Sequence, residues 1–532
     1  MKSQKITPDK IIQLQKLVQT GFYAQAQTEL KAYLKKCPQH LGLWNLLGVC
    51  QQAQGEYQAA IFSFERIRAL NAQIPEVYFN LASLYTQIQS FDLSIENYKK
   101  ALHYNPHFTM AHFNLAALYQ GQQQIDKAAD HYTQAIQLQA NFVEALVNLG
   151  TIRQQQGKLQ DAKTYYEQAL HWRDDAQSQF NLGTVLHDLG EHQAAMVAFE
   201  RCLVHQSDFE DAWNNLGETY RDAGNMIDAV RCYQKTLEIA PQHSRALYNL
   251  GEYYCLTNEL TKAIPYFDAS TFSDAKERSL QCLYKTQQFD RFKAAFDKLI
   301  EKQPHTSVLL SALSAHYAHS FGVVDPYTFC PNPMQWVQQT SIEELAAPQS
   351  TLRTQLLTDI AQLAISERKQ GRLYFGIQSA GNLLQRSEAS FQTLAALIRE
   401  QIYAYRQHYQ TVDCQLIHYF PDVIEFSSSW YLQMNKGGYL TSHIHEEGWI
   451  SGCVYLQLPD KKSTHEGSFE YGIHGDDYPH RQQVNFPFCI VDQSVGDIVL
   501  FPSSLFHRTH PFYSDEQRVC IAFDVKPTTN LH

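Results

Sequence analysis

The sequence predicts a multidomain protein: an all-α superhelix of helical hairpins followed by a double-stranded β-helix, or jelly roll, with flanking helices. Three observations predict it. A self-similar period of about 34 residues runs through the first half. Pro326, Pro331 and Pro333 then break the pattern, and beyond residue 412 short apolar runs alternate with turn residues. A chain of 532 residues is long enough for more than one domain.

The repeat comes first. Asn80-Leu81-Ala82, Asn114-Leu115-Ala116, Asn148-Leu149-Gly150, Asn181-Leu182-Gly183, Asn215-Leu216-Gly217 and Asn249-Leu250-Gly251 recur every 34 residues, once every 33, and Leu46-Leu47-Gly48 extends the series backwards. Each unit has a small residue five positions past a turn (Ala26, Ala60, Ser94, Ala128, Ala162, Ala195, Ala229, Ala263). Four residues further on stands an aromatic (Phe64, Tyr98, Tyr132, Tyr166, Phe199, Tyr233, Phe267). Small residues let two antiparallel helices approach, and the aromatic fills the space towards the next pair. Gly21, Gly55, Gly157, Gly190 and Gly224 sit where the chain reverses.

This pattern resembles the tetratricopeptide repeat over roughly residues 8–272, as seven full repeats after a degenerate first one, and we assign residues 1–272 to the array. Such arrays offer a concave face. The row Asn80, Asn114, Asn148, Asn181, Asn215 and Asn249 would project along it, where amides can hydrogen-bond an extended peptide without reading its sequence. The resemblance implies a protein or peptide partner there. Trp44, Tyr78 and Trp213 read as packing residues.

Residues 273–340 read as a helical remnant and connector. A hairpin-like stretch over 277–304 carries Phe289, Phe292 and Phe296, the prolines follow, and Cys330 reads as a buried thiol. Residues 341–532 form the third region. A helix is expected over 388–408 with Phe391, Leu394, Leu397 and Ile398 on one face. Strands are expected over 414–419, 428–434, 451–458, 468–473, 488–491, 497–501 and 518–525, with turns at Gly437-Gly438, Gly475-Asp476-Asp477 and Gly496-Asp497. A jelly roll is the economical arrangement because it brings an early strand end beside a late strand.

Two histidine clusters then stand out. One is Ser442-His443-Ile444-His445-Glu446-Glu447. The other is Phe501-Pro502-Ser503-Ser504-Leu505-Phe506-His507-Arg508-Thr509-His510, with Arg518 eleven residues beyond His507. Side chains two apart on a strand share a face, so His443 with His445, or His445 with Glu447, can point into a barrel. Imidazole and carboxylate ligands on one face of iron leave the other face open. Lone histidines are usually structural, and His474 and His510 are read so.

These residues resemble the prolyl-hydroxylase-like branch of the 2-oxoglutarate/Fe(II) dioxygenases over residues 340–532, most closely a bacterial and phage group with H-x-H, S-G-x-x-Y-L and F-P-S-x-x-x-H. The stretch Gln378-Ser379-Ala380-Gly381-Asn382-Leu383 joins the likeness. The resemblance implies Fe(II) and 2-oxoglutarate as cofactors, with Arg518 and Tyr455 on the far carboxylate of 2-oxoglutarate. Where the family usually has H-x-D or H-x-E, this chain has His443 first and His445 in the carboxylate's place. Three arrangements stay open: His443, His445 and His507; His445, Glu447 and His507; or two histidines with water. The aspartyl/asparaginyl hydroxylases, which also join such repeats to an oxygenase, manage without a carboxylate.

Composition narrows the function. A net charge of -11 argues against nucleic acid as a partner, and no apolar run approaches a membrane span. Eleven scattered cysteines with no C-x-x-C pair, and a polar N-terminus, suit reduced thiols and a cytoplasmic location. No nucleotide-binding or serine-hydrolase fingerprint competes. The expected function is hydroxylation of a polypeptide held by the repeats. The alternatives are a repeat scaffold carrying a non-catalytic cupin-like domain, and an oxygenase acting on a small molecule.

Overall fold

The turn position of every repeat has a left-handed backbone, and this sets the hairpins. In the computed structural model, which describes residues 7–362, 371–475, 478–481, 483–526 and the backbone of 367–368, Gly21, Gly55, Gly157, Gly190 and Gly224 have φ between 71° and 82°. Where the repeat lacks glycine, Gln89, Gln123 and Asn258 adopt φ of 59°, 60° and 58°. A side chain there costs roughly 1 kcal/mol, so packing and not the turn itself must hold those three hairpins.

That packing is tight. A Cβ on Gly48, Gly150, Gly183 or Gly217 would meet the ring of Phe64, Tyr166, Phe199 or Tyr233 at 2.8, 2.7, 2.7 and 2.6 Å. The glycine that ends a triplet and the aromatic 16 residues later are thus the two sides of one contact. The residues read as packing aromatics close the loop ahead of their helix. Trp44 Nε1 donates to the Pro38 carbonyl at 2.8 Å, Tyr78 Oη to Ala72 at 2.9 Å, and Trp213 Nε1 to Ser207 at 3.0 Å.

By compactness the chain divides between Ala246 and Leu247. The second unit therefore holds the end of the last repeat, Leu247 to Ala269, together with everything that follows. Three more helices, Ala275–Lys285, Phe289–Ile300 and Val308–Phe321, precede the sheet. Phe292 and Phe296 are buried, as is Cys330.

The strands are β1 (Gln338–Ser341), β2 (Glu367–Arg368), β3 (Leu373–Ser379), β4 (Glu425–His443), β5 (Ile450–Gln457), β6 (Phe469–Gly472), β7 (Phe488–Val491), β8 (Asp497–Pro502), β9 (Phe506–Thr509) and β10 (Arg518–Lys526). They pair antiparallel in the order β1-β8-β5-β10-β4-β9-β6-β7, with β3 on β4 and β2 on β3. The consecutive strands β8 and β9 lie in different parts of this order, as the predicted jelly roll requires.

Strand β4 makes the crossing. Residues 425–434 pair with β10, whereas Leu440 and His443 pair with β9. Gly437-Gly438, expected to end a strand, instead kinks this one: Gly437 has φ 81° and donates its N–H to the Phe512 carbonyl at 2.7 Å. A second correction concerns 414–419, expected as a strand. Gln415–His418 is one helical turn, held because Gln415 and Leu416 donate to the carbonyls of Thr328 and Phe329. The turn expected at Gly475-Asp476-Asp477 falls largely outside the described residues.

Alternation along β10 sorts its two faces. Val519, Ile521, Phe523 and Val525 pack into one core with the helix Ala389–Tyr409, which supplies Phe391, Leu394 and Ile398. Cys520 and Ala522 join Leu432, Met434, Leu440, Cys453, Tyr455, Phe469, Val499 and Phe501 in a second core. By the same parity Arg518 and Asp524 belong to the inner face. No described helix is long and apolar enough to cross a membrane.

Candidate metal centre

His443 ends β4 and stands directly opposite His507 on β9 in the strand register. His445 follows two residues later, just beyond the strand. The sequence-predicted pair and the distant third histidine therefore meet: one ligand atom from each of His443, His445 and His507 lies within 4.8 Å of the others. Their ring centroids are 4.3 to 5.1 Å apart.

The hydrogen bonds behind the rings fix which nitrogen faces the centre. His443 Nδ1 lies 2.8 Å from the Thr441 carbonyl and His507 Nδ1 3.2 Å from the Leu505 carbonyl. His445 Nδ1 is 2.6 Å from Asp524 Oδ1. Carbonyls and carboxylates accept only, so each Nδ1 carries its proton and donates it, leaving the Nε2 lone pair for the centre. The Nε2 atoms of His443 and His445 approach to 3.2 Å. Burial, reinforced by the neighbouring imidazoles, lowers the pKa of His443 to about 3 and that of His507 well below its ordinary value, so both are neutral near pH 7.

Asp524 was not among the residues singled out from the sequence. It accepts from His445, from Ser451 Oγ at 2.6 Å and from Ser428 Oγ at 2.9 Å. Burial opposes its charge, but His445 beside it and these hydrogen bonds prevail and hold its pKa below the usual carboxylate value. A carboxylate behind a ligating imidazole is a recurring way to orient the ring and raise its basicity.

Glu447 stands apart from this cluster. Its side chain is 91% exposed and its carboxylate lies 3.7 Å from Lys526 Nζ, so His445, Glu447 and His507 are not brought together. His510 Nε2 pairs with Glu470 at 2.7 Å and His474 Nδ1 with His316 Nε2 at 2.8 Å, each in a structural contact.

The three histidines line a narrow cavity whose other walls include Trp430, Leu440, Tyr455, Phe469, Phe501 and Arg518. Arg518 is 1% exposed. Its Nη1 donates to the Cys520 sulfur at 3.2 Å, its guanidinium lies 5.1 Å from the Tyr455 ring centroid, and its Nε has no hydrogen-bond partner among the described residues. A buried guanidinium is costly unless an anion pairs with it. Burial keeps the Tyr455 phenol protonated, so it too can donate. Three inward lone pairs at one end and a buried guanidinium with a spare Nε donor at the other fit a divalent metal and a small dicarboxylate. On the outer side, His507 also borders a surface groove of about 790 Å³ lined by Arg372, Glu470, Tyr478, Phe488 and Arg508.

In the asparagine row, Asn114 and Asn148 donate to the Tyr98 and Tyr132 hydroxyls at 3.1 and 3.0 Å. Asn181 accepts from Gln177 at 2.9 Å and Asn215 from Asn214 at 3.3 Å. Asn80 is half-buried and Asn249 buried.

Comparison with known proteins agrees with this architecture. Tetratricopeptide repeat models match residues 14–75, 75–108, 111–142, 141–203 and 208–271. A model described as "Putative 2OG-Fe(II) oxygenase" matches residues 428–524. No curated protein matches the chain. Similar solved structures include YrrB, described as a TPR protein with an unusual peptide-binding site (22% identity, TM-score 0.34, covering 35% of this chain and 96% of that one). Others are MamA (24%, 0.31, 32% and 92%) and the C-terminal part of a TPR repeat-containing protein from Cytophaga hutchinsonii (13%, 0.40, 44% and 98%). At these scores they carry no argument about what the chain binds. The chain thus joins an array of tetratricopeptide repeats to a C-terminal domain that matches the model of the family described as "Putative 2OG-Fe(II) oxygenase".

Proposed function

We propose that this protein is a 2-oxoglutarate- and Fe(II)-dependent dioxygenase that hydroxylates a polypeptide recruited by its repeats. The observation that carries the reading is the pairing, in one cavity, of three convergent imidazole nitrogens with a buried guanidinium whose Nε has no hydrogen-bond partner among the described residues. His443, His445 and His507 would hold the metal, and Arg518 and Tyr455 the far carboxylate of 2-oxoglutarate. Once bound, iron and 2-oxoglutarate would supply the oxidising chemistry with O₂ as the oxidant: one oxygen atom would enter the substrate C–H bond as a hydroxyl and the other would leave in succinate, as the keto acid loses CO₂.

The chain's own residues do the rest. Trp430, Leu440, Phe469 and Phe501 keep the cavity apolar and exclude water. Arg518 can form paired hydrogen bonds to a carboxylate, which fixes where the other end of the cosubstrate lies. His445 stands in the place of the family's carboxylate, and Asp524 behind it supplies the negative charge from one bond further out. The groove beside His507 is where substrate would reach the metal. Repeats generally mediate protein–protein contact, which favours a polypeptide over a small molecule as substrate.

The test is anaerobic titration of the full-length protein with Fe(II) and 2-oxoglutarate. A visible metal-to-ligand charge-transfer band that requires both is the expected result; its absence in metal-replete protein would sink the reading. Asp524→Asn is expected to weaken metal binding about 10- to 100-fold, the range found for outer partners of ligating histidines. An amide can turn its NH₂ towards Nδ1 and favour the opposite tautomer, withdrawing the Nε2 lone pair. Metal affinity equal to wild type, measured by calorimetry, would reduce Asp524 to a bystander.

A further inference from the structure

The loop that carries His445 is gripped on its outer side by a helix of the second unit. Arg278 and Gln281 lie three apart on the helix Ala275–Lys285, hence on one face. Arg278 Nη1 meets Glu446 Oε2 at 2.6 Å, and Gln281 Nε2 donates to Glu446 Oε1 at 3.2 Å. Both carboxylate oxygens of the residue next to His445 are therefore taken by this helix. The grip extends backwards. Arg278 Nε donates to Asp274 Oδ2 at 2.9 Å, and Tyr248 Oη donates to Asp274 Oδ1 at 2.8 Å. Tyr248 adjoins Asn249, the last of the asparagine row.

The inner side of the same loop is pinned by the barrel. The His445 N–H donates to the Ser503 carbonyl at 3.1 Å, Gly448 to His445 at 3.0 Å, and Trp449 to Val525 at 2.7 Å. His445 thus sits on a short turn held between the barrel and a helix. The Arg278–Glu446 pair is about a quarter exposed on each side, drier than a surface ion pair and less screened by salt.

We propose that Arg278, with Gln281, is a positioning residue for the metal centre, acting through Glu446 to fix the turn that aims His445. This rests on the assignment of His445 as a ligand. It makes the helical hairpin after the last repeat a working part of the site and not a detachable holder of substrate. It also gives the last repeat a continuous hydrogen-bonded connection, Tyr248–Asp274–Arg278–Glu446, to the ligand loop.

The test uses the full-length chain, Co(II) alone as the probe, and the variants Arg278→Ala, Glu446→Gln and the double variant. Each single change is expected to weaken Co(II) binding about 10- to 100-fold, and the double variant to lose little more than either single one, because both remove the same contact. In the metal-free protein, amide hydrogen exchange across residues 445–449 is expected to speed up in each variant. Arg278→Lys, which keeps the charge, should recover part of both. Glu446→Gln lies in the loop and leaves the helical core intact, so it guards against a fold lost with Arg278. Wild-type affinity in both single variants would overturn the proposal; so would weakened binding with unchanged exchange, since the effect would then be charge and not position. If the wild-type chain takes up no Co(II), the metal reading is what fails, and the exchange comparison alone decides whether Arg278 holds the loop.

Discussion

In the His507→Ala variant of the full-length protein, anaerobic Fe(II) uptake and the 2-oxoglutarate-dependent charge-transfer band are expected to disappear. The reason is geometric. His507 is one of three Nε2 donors that converge, and its ring is set by the Leu505 carbonyl behind it and by Phe469 and Phe501 at centroid distances of 5.7 and 4.7 Å. Two imidazoles remain in the variant, a set far weaker than three held in place. The loss should exceed the ~100-fold typical of removing an outer partner. The melting temperature of the metal-free variant serves as control, because the fold does not depend on the ligand atom. Retained iron binding at wild-type affinity would show that the histidine cluster is a packing feature of the barrel.

Arg518→Met carries the second large effect, and its two readouts should move in opposite directions. Affinity for 2-oxoglutarate is expected to fall by about 2–5 kcal/mol, the cost of removing one partner of a buried charge pair. The ligand-free protein is expected to keep its stability or gain some, because a buried guanidinium with an unsatisfied Nε gives way to an apolar chain. Iron uptake without cosubstrate should be little changed, since Arg518 is not in the histidine cluster. Calorimetry with 2-oxoglutarate, alongside thermal melts, separates these outcomes. Unchanged cosubstrate affinity would mean that Arg518 faces something else in that cavity.

Much of this was legible in the sequence, for identifiable reasons. The repeat declares itself because each hairpin meets the same packing problem with the same pair, a glycine or alanine against an aromatic 16 residues later, as in Gly150 with Tyr166 or Gly183 with Phe199. The histidines are legible because a two-residue spacing on a strand is a local statement about direction. Asp524 is not, because its relation to His445 is made by pairing between strands 79 residues apart in sequence. Arg518 was found through its likeness to a family, whereas the alternation that also explains Asp524 needed the strand's two faces. Gly437-Gly438 misled because glycines that end one strand can kink another. Residues 414–419 misled because their apolar composition suits either state, and the contacts with Thr328 and Phe329 decided it.

One strand, β10, presents Arg518 at one end of its inner face and Asp524 at the other, with Cys520 and Ala522 between. On the proposed reading, the group that would hold the cosubstrate and the brace behind the third imidazole are thus spaced by a single stretch of backbone. A slip of one residue in its pairing would swing Val519, Ile521, Phe523 and Val525 inward and remove both functions at once. A misregistered molecule would therefore have no partial activity to leak: it could neither seat the dicarboxylate nor orient the imidazole. If the barrel binds these ligands as proposed, their uptake would report that the strand has closed in the right frame.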